Sequence, residues 1–422
     1  MKVAIIGAGY VGLTTAACLA HVGHEVVAAD IVESKVAALN RGHIPIVEEG
    51  LQDLVRAGLR EGRLRFVVSS TSAAAGAEFV FLCVPTPQDG DGAVDMSCVR
   101  AAATEIGPSI GSECIVVNKS TVPVGSTRVV EEALGRADVY VVSNPEFLRE
   151  GSAVHDFLHP DRIVIGAESQ TAAIRTTELF ASIRAPFVVT DPPTAETIKY
   201  ASNAFLATKV SFINAMANVC ELVGANVREV VLGMGYDKRI GAEFLKPGPG
   251  WGGSCFPKDS RALLRIAEEA GYDFELLHGV IAVNEEQYER VAAKVVAAAG
   301  GSVEGKRIAV WGLTFKARTD DLRASPSLHV IERLVKAGAT IQAYDPTVTT
   351  QLPDMTTTTD PYAACEDASV LVILTEWDEF RWLDLGMARV RMAAPSIVDG
   401  RNLIDPAAAR RAGFRYVGIG LS

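Results

Sequence analysis

The stretch from Lys246 to Leu264, KPGPGWGGSCFPKDSRALL, sets one thiol, Cys255, among glycines and prolines, with Lys258 and Asp259 just downstream. Pro257 suits a first helical position, and the letters after it predict a helix that closes on Gly271. Cys255 is then expected just ahead of a helix N-terminus and beside a lysine, two features that lower a thiol below its usual pKa of about 8.5. A thiolate of that kind adds to carbonyl carbons. The glycines at 248, 250, 252 and 253 are expected to keep this stretch loose and to let backbone pass close to a bulky ligand, which a Cβ would obstruct. An inert, buried thiol is the alternative for Cys255 and the expectation for the other six cysteines.

A second chemistry is written at the amino terminus. GAGYVG places Gly7, Gly9 and Gly12 in GxGxxG spacing between an apolar β-branched run and a helical one, with Tyr10 and Val11 inside the turn. Gly7 permits the tight turn, Gly9 lets a pyrophosphate approach the backbone, and Gly12 lets helix and strand pack closely. Asp30 falls at the end of the next strand, where its carboxylate can accept both hydroxyls of an adenosine ribose. A 2′-phosphate would meet that charge at short range, at a cost of up to about 4 kcal/mol, so the pocket is expected to prefer NAD to NADP. Lys35 is close enough in sequence to reach the ribose, or to lie solvated on its helix. Two i, i+4 pairs also stand out, Lys199 with Asn203 and Glu146 with Glu150, each open to reading as an ordinary surface pair.

A dinucleotide fold with a nucleophilic cysteine implies more than alcohol oxidation. An aldehyde yields a hydride only after something adds to its carbonyl. A thiolate supplies that adduct, and loss of hydride from the thiohemiacetal leaves a thioester that water hydrolyses to an acid.

The elements that must position these groups follow from periodicity. Strand-like runs alternate with helical stretches over residues 1–193, which predicts an α/β, doubly wound, largely parallel sheet. From Thr194 to about Gly224 no proline or internal glycine interrupts the chain, so one long helix is expected, with Thr194 as its cap and an acidic first turn. Helices continue to about Ala299. A second α/β pattern begins at GKRIAVWGLTFK and returns at ATIQAYD, where Asp345 ends a strand as Asp30 does and only Gly312 stands for the three glycines. The expected architecture is two Rossmann-like doubly wound domains, 1–193 and 301–422, joined by a central helical region, 194–300, that carries Lys199 and the cysteine loop.

The 422 residues are 49% hydrophobic with a net charge of −11, which suits sizeable cores and argues against broad binding to nucleic acid or anionic membrane. Glycines break the first apolar run too early for a signal peptide, and no stretch approaches the roughly 20 apolar residues of a membrane span. Seven scattered cysteines, odd in number and never in a CxxC pair, suggest reduced thiols in the cytoplasm, without disulfides or a metal site.

The motifs GAGYVGL, STVPVGS, NPEFLREGSA, KYASNAFLATKVSFINAMANVCE, DKRIG, GPGWGGSCFPKD, GLTFKARTDDLRASPS and DGRN together resemble the nucleotide-sugar 6-dehydrogenases, in colinear order over essentially the whole chain. That resemblance implies NAD as cofactor, with Thr86, Thr121, Glu150 and Arg323 added to the cofactor residues. It implies Cys255 as nucleophile, Lys199 and Asn203 as donors to the developing oxyanion, and Asp259 as a partner of that lysine and a base positioning water. Thr121 would relay water or protons, and Glu146 would assist thioester hydrolysis. A nucleotide sugar is implied as substrate, contacted by Glu146, Phe147, Leu148, Phe244, Leu245, Lys246, Gly252 and Lys316, with Arg239 and Arg401 as anion contacts. The cysteine loop and the LTFKARTDDLRASPS stretch are more similar to the UDP-glucose branch than to the GDP-mannose branch. A homodimer or higher homo-oligomer is implied as well. Two rivals differ in class: a two-electron dehydrogenase that makes no use of the thiol, and a non-catalytic NAD-binding regulator.

Overall fold

Runs such as KVAII, FVFL, IVVN and VLVI are apolar at consecutive positions rather than alternate ones, the pattern of parallel strands covered on both faces. The computed structural model describes residues 1–88 and 93–421, which divide into two units, Met1–Ser202 and Asn203–Ser422.

In the first unit eight strands form one sheet: β1 (Lys2–Ile6), β2 (Glu25–Ala29), β3 (Leu64–Val67), β4 (Phe79–Leu82), β5 (Ile115–Asn118), β6 (Tyr140–Ser143), β7 (Ile163–Ala167) and β8 (Phe187–Thr190). Their order is β3-β2-β1-β4-β5-β6-β7-β8, and every pairing is parallel except the antiparallel β6 with β7. Alternate residues feed two cores, with Ile5, Phe79, Phe81 and Val117 on one face and Ala4, Val80, Leu82 and Val116 on the other. Chain order reverses between β1 and β4, the place where such sheets open a crevice at their carboxyl ends.

The second unit holds a six-stranded, wholly parallel sheet: β9 (Arg307–Trp311), β10 (Thr340–Tyr344), β11 (Met355–Thr358), β12 (Val370–Ile373), β13 (Ser396–Asp399) and β14 (Arg415–Val417). Its order, β11-β10-β9-β12-β13-β14, repeats that of the first six strands of the other sheet.

The long helix runs from Pro192 to Val223, 32 residues or about 48 Å. It starts two residues before the expected cap. Asp191, not Thr194, closes its first turn: the Asp191 carboxylate accepts from the Thr194 N–H at 2.8 Å and the Thr194 hydroxyl at 2.8 Å, and prolines at 192 and 193 fit a start where N–H groups have no intrahelical partner. The acidic first turn is also absent. Glu196 is buried instead, accepting from the N–H groups of Gly125 (2.6 Å) and Thr127 (3.0 Å) and from the Thr127 hydroxyl (2.9 Å). No helix among the described residues is long and apolar enough to cross a membrane.

Candidate active site

The first glycine turn packs as its spacing requires. Gly7 has φ +97°, and a Cβ there would lie 2.6 Å from the Cys83 carbonyl oxygen; at Gly12 it would lie 1.8 Å from the carbonyl oxygen of Gly7. Gly9 is exposed with open space around it, and the helix it precedes, Tyr10–His21, has no side-chain cap. Its first N–H groups therefore face outward as donors to an anion. Asp30 accepts from the Ala8 N–H at 3.1 Å, the Val32 N–H at 3.1 Å and the Lys35 ammonium at 2.7 Å. Burial works against the Asp30 charge, but Lys35 and the two N–H groups outweigh it and hold the carboxyl below its ordinary value. Lys35 thus contacts Asp30. Val11 is half-buried, and the half-buried Thr86 donates its hydroxyl to the Thr121 carbonyl oxygen at 2.9 Å.

Tyr10 turns toward Glu48, a buried carboxylate that sequence reading passed over. Glu48 accepts the Tyr10 hydroxyl and the N–H groups of Gly151 (2.7 Å) and Ala153 (2.7 Å), so it ties the chain around Glu150 to the first helix. The i, i+4 reading of Glu146 and Glu150 does not hold, because residues 144–149 have no regular structure and share no helical face. Glu146 is buried beyond β6. One of its oxygens accepts from the Leu148 N–H at 2.7 Å, and the other lies 2.7 Å from the ammonium of Lys199, which also donates to the Glu146 carbonyl at 2.6 Å. Burial opposes the Glu146 charge, yet Lys199, the Leu148 N–H and Lys119 together keep its carboxyl below the usual glutamate range. Phe147 lies under the Arg162 guanidinium, 3.5 Å from ring centroid to cation, with the Lys199 ammonium 5.5 Å from the same ring.

Lys119, beyond β5, is a second buried cation, and its ammonium donates to the Asn144 amide oxygen at 2.9 Å. Burial pushes its pKa down to about 8, against the pull of Glu146. Its place past the end of a central strand was the available signal.

In the second unit the cysteine loop is pinned, contrary to the loose segment expected. Gly248 donates to the Asn214 amide oxygen at 2.8 Å and accepts from Gln287 at 2.8 Å. The Trp251 backbone is gripped by Asn284 and Tyr288, and its indole N–H donates to Ser211 at 2.9 Å. The glycines also make room for the protein itself: a Cβ at Gly250 would stand 2.6 Å from the Tyr288 ring, one at Gly252 only 1.9 Å from the Ala324 carbonyl oxygen, and one at Gly253 2.8 Å from the Phe315 ring. This grip delivers Cys255 to the N-cap of the helix Phe256–Glu269, with Pro257 one position later than expected. Cys255 is half-buried as a residue, with its sulfur 3.5 Å from the Ser254 hydroxyl. Burial pushes the thiols of Cys18, Cys83, Cys114 and Cys365 up to about 12. Asp259, one turn into the helix and fully buried, accepts from the Asn203 amide at 2.6 Å and pairs with Lys258 at 3.1 Å.

The remaining candidates of this unit separate into two groups. Leu245 is buried, Lys246 exposed, and Phe244 holds a left-handed φ of +62° with its ring against Phe256. Lys316 has its ammonium 5.4 Å from the Phe315 ring, and Arg401 donates to the carbonyl oxygens of Leu374 (2.8 Å) and Phe315 (3.2 Å) and pairs with the Glu376 carboxylate at 3.1 Å. Arg239 and Arg323 instead point outward, each forked onto an aspartate two residues upstream, Asp237 and Asp321.

These features agree with what comparison of the whole chain finds. The profile of the UDP-glucose/GDP-mannose dehydrogenase family, NAD binding domain, matches residues 1–184; the family's central domain matches 193–286 and its UDP binding domain 309–406. The UDP-glucose 6-dehydrogenase of Rhizobium meliloti (strain 1021) is 46% identical, with 100% of this chain and 99% of that protein covered. UDP-glucose 6-dehydrogenase TuaD of Bacillus subtilis (strain 168) is 45% identical over 99% of this chain and 93% of its own length. Among solved structures, a UDP-glucose dehydrogenase from the hyperthermophilic archaeon Pyrobaculum islandicum superposes with a TM-score of 0.91 at 37% identity, covering 100% of this chain and 98% of that one. The uncapped helix start behind Gly9 and the carboxylate of Asp30 fit a dinucleotide, and the cofactor is NAD. With its three domain profiles matched in order along the sequence, the chain belongs to the UDP-glucose/GDP-mannose dehydrogenase family.

Proposed function

We propose that the protein oxidises UDP-glucose at the sugar 6-position to UDP-glucuronate, a four-electron reaction that reduces two NAD. The observation that carries this reading is Cys255: a half-buried cysteine at a helix N-cap, near a buried Asn203–Asp259 pair, in a chain whose other cysteines are largely buried. The names of the two relatives at 46% and 45% identity, both UDP-glucose 6-dehydrogenases, support the substrate.

NAD, when bound, supplies the hydride acceptor for both oxidations. Loss of hydride and a proton turns the C6 alcohol into an aldehyde. The Cys255 thiolate adds to that carbon, and the carbonyl oxygen becomes the alkoxide of a thiohemiacetal. Lys199 and Asn203, an ammonium and an amide four residues apart on one helix, donate to the oxygen that gains charge. A second hydride leaves, the C–S bond remains, and the product is a thioester. Water then adds, the C–S bond breaks, and the carboxylate departs as Cys255 regains its charge. Glu146, kept ionised beside Lys199, takes the water's proton, while Thr121 and Asp259 orient that water. Glu150 and Arg323 serve the cofactor half, and Phe147, Leu148, Phe244, Leu245, Lys246, Gly252, Lys316 and Arg401 the nucleotide sugar. The outward Arg239 suits an anion contact made across a subunit interface.

The reading includes a homodimer or larger assembly in the cytoplasm. Phe205, Phe212 and Val219 are exposed at seven-residue spacing on the long helix, an apolar seam suited to a second copy. It also retains the functional division 1–193, 194–300 and 301–422. The test is a spectrophotometric NADH assay on UDP-glucose, GDP-mannose and UDP-N-acetylmannosamine, with wild type and Cys255→Ser. Acid formation from UDP-glucose should exceed that from the others and fall by at least roughly a thousandfold in the variant. Unchanged turnover of Cys255→Ser would reject the covalent route.

A further inference from the structure

Gly312 and Asp345 of the second sheet stand where Gly7 and Asp30 stand in the first. Gly312 donates its N–H to the Tyr344 carbonyl at 2.8 Å, as Gly7 does to Ala29 at 2.9 Å, and both glycines have φ near +96°. The carboxylates then diverge. Asp345 is buried, and one oxygen accepts from the Leu313 N–H (2.8 Å), the Thr314 N–H (3.2 Å), the Thr314 hydroxyl (3.2 Å) and the Trp377 indole N–H (3.2 Å). The other accepts from the N–H (3.0 Å) and hydroxyl (2.9 Å) of Thr347. Six donors leave this carboxylate no capacity for a ribose.

The turn that Asp345 grips is held from every side. Ser325 donates to the Leu313 carbonyl at 2.7 Å, Thr375 to that of Thr314 at 2.6 Å, and Arg401 to that of Phe315 at 3.2 Å. Lys316 is the next residue. We propose that Asp345 is a positioning residue for the nucleotide half of the substrate subsite: by gathering the donors of residues 313 and 314 it fixes the point from which Lys316 leaves the backbone. This rests on the functional reading above, in which Lys316 and Arg401 meet the anionic part of the nucleotide sugar.

An isosteric change should undo the clamp. In Asp345→Asn one carboxylate oxygen becomes an NH2 group, which faces either the four donors around one position or the two Thr347 donors around the other. Trp377→Phe removes a single donor and spares the carboxylate. The experiment is calorimetric titration of the full-length chain with UDP and, separately, with NAD. Asp345→Asn should weaken UDP binding at least tenfold and NAD binding less than twofold, and the KM for UDP-glucose should rise by more than kcat falls. Trp377→Phe should weaken UDP binding two- to fivefold, and it decides the matter if Asp345→Asn does not fold. Unchanged UDP affinity in the folded variants, or equal weakening of both ligands, overturns the assignment. A wild-type chain that binds UDP yet forms no NADH from UDP-glucose defeats the functional reading alone, and the UDP comparison still stands.

Discussion

The two sheets share strand order, a positive-φ glycine after the first strand and an aspartate after the second, yet their carboxyl edges are finished differently. In the first unit the helix behind the glycine turn has no side-chain cap, Asp30 lies at the rim, and two lysines are buried about one glutamate. In the second, Ser325 caps the corresponding helix, Asp345 is consumed by its own turn, and no lysine is buried among the described residues. A parallel sheet therefore fixes where a ligand crevice opens but not how it recognises anything. Recognition by backbone N–H groups needs an uncapped helix start. Recognition by side chains needs a rigid turn to carry them.

The sharpest way to break this contrast is Lys199→Ala. It takes from the buried Glu146 carboxylate its direct ion-pair partner, leaving the Leu148 N–H and the more distant Lys119, which should cost about 3–5 kcal/mol of stability and nearly all turnover. Denaturant melts and NADH production read the two effects, and a stable, active variant would mean that the pair is not buried as described.

Lys119 gives a pH signature that the second sheet lacks. Its folded pKa, about 8, lies below its ordinary 10.5. Between those values the unfolded chain holds a proton that the folded chain has released, so Lys119 contributes stability that rises with pH across that window and nothing to the slope below it, while the four buried thiols, raised from 9.0 to about 12, act in the opposite sense above about pH 9. The size is about 3 kcal/mol at 1.36 kcal/mol per unit, as an order of magnitude. Lys119→Met should remove this contribution, read as the difference between wild-type and variant thermal melts from pH 7 to 10.5, in which the buried thiols common to both cancel.

The smallest effect sharpens the likeness instead. Gly12→Ala drives a Cβ to 1.8 Å from a backbone oxygen, and Gly312→Ala places one 2.4 Å from Thr375 in a left-handed conformation. Each should cost about 1–3 kcal/mol. Gly12→Ala should raise the KM for NAD, and Gly312→Ala the KM for the nucleotide sugar. Steady-state kinetics separate them, and a common pattern in both variants would erase the distinction between the two edges.

What the sequence revealed was local. Apolar runs, GxGxxG spacing and a cysteine before a proline-led helix depend on neighbours within a few residues, so both sheets, the first turn and the place of Cys255 were legible. Satisfaction of polar groups is not local. Asn214, Asn284 and Gln287 hold the cysteine loop from 33 to 39 residues away, so a glycine-rich stretch that reads as loose is in fact fixed. Glu48 reaches 103 residues to Gly151, and Glu196 reaches 71 residues to Gly125. Glu146 and Glu150 were misread because helical spacing was applied to a segment without a helix, and Thr194 because Asp191 and two prolines outcompete a threonine as a helix start.

Whether the sulfur of Cys255 carries the sugar between two oxidations is tested most directly by counting NADH formed per UDP-glucose consumed to completion. Two NADH per sugar, with UDP-glucuronate as the product, is the expected result. One NADH per sugar with an aldehyde accumulating would contradict it.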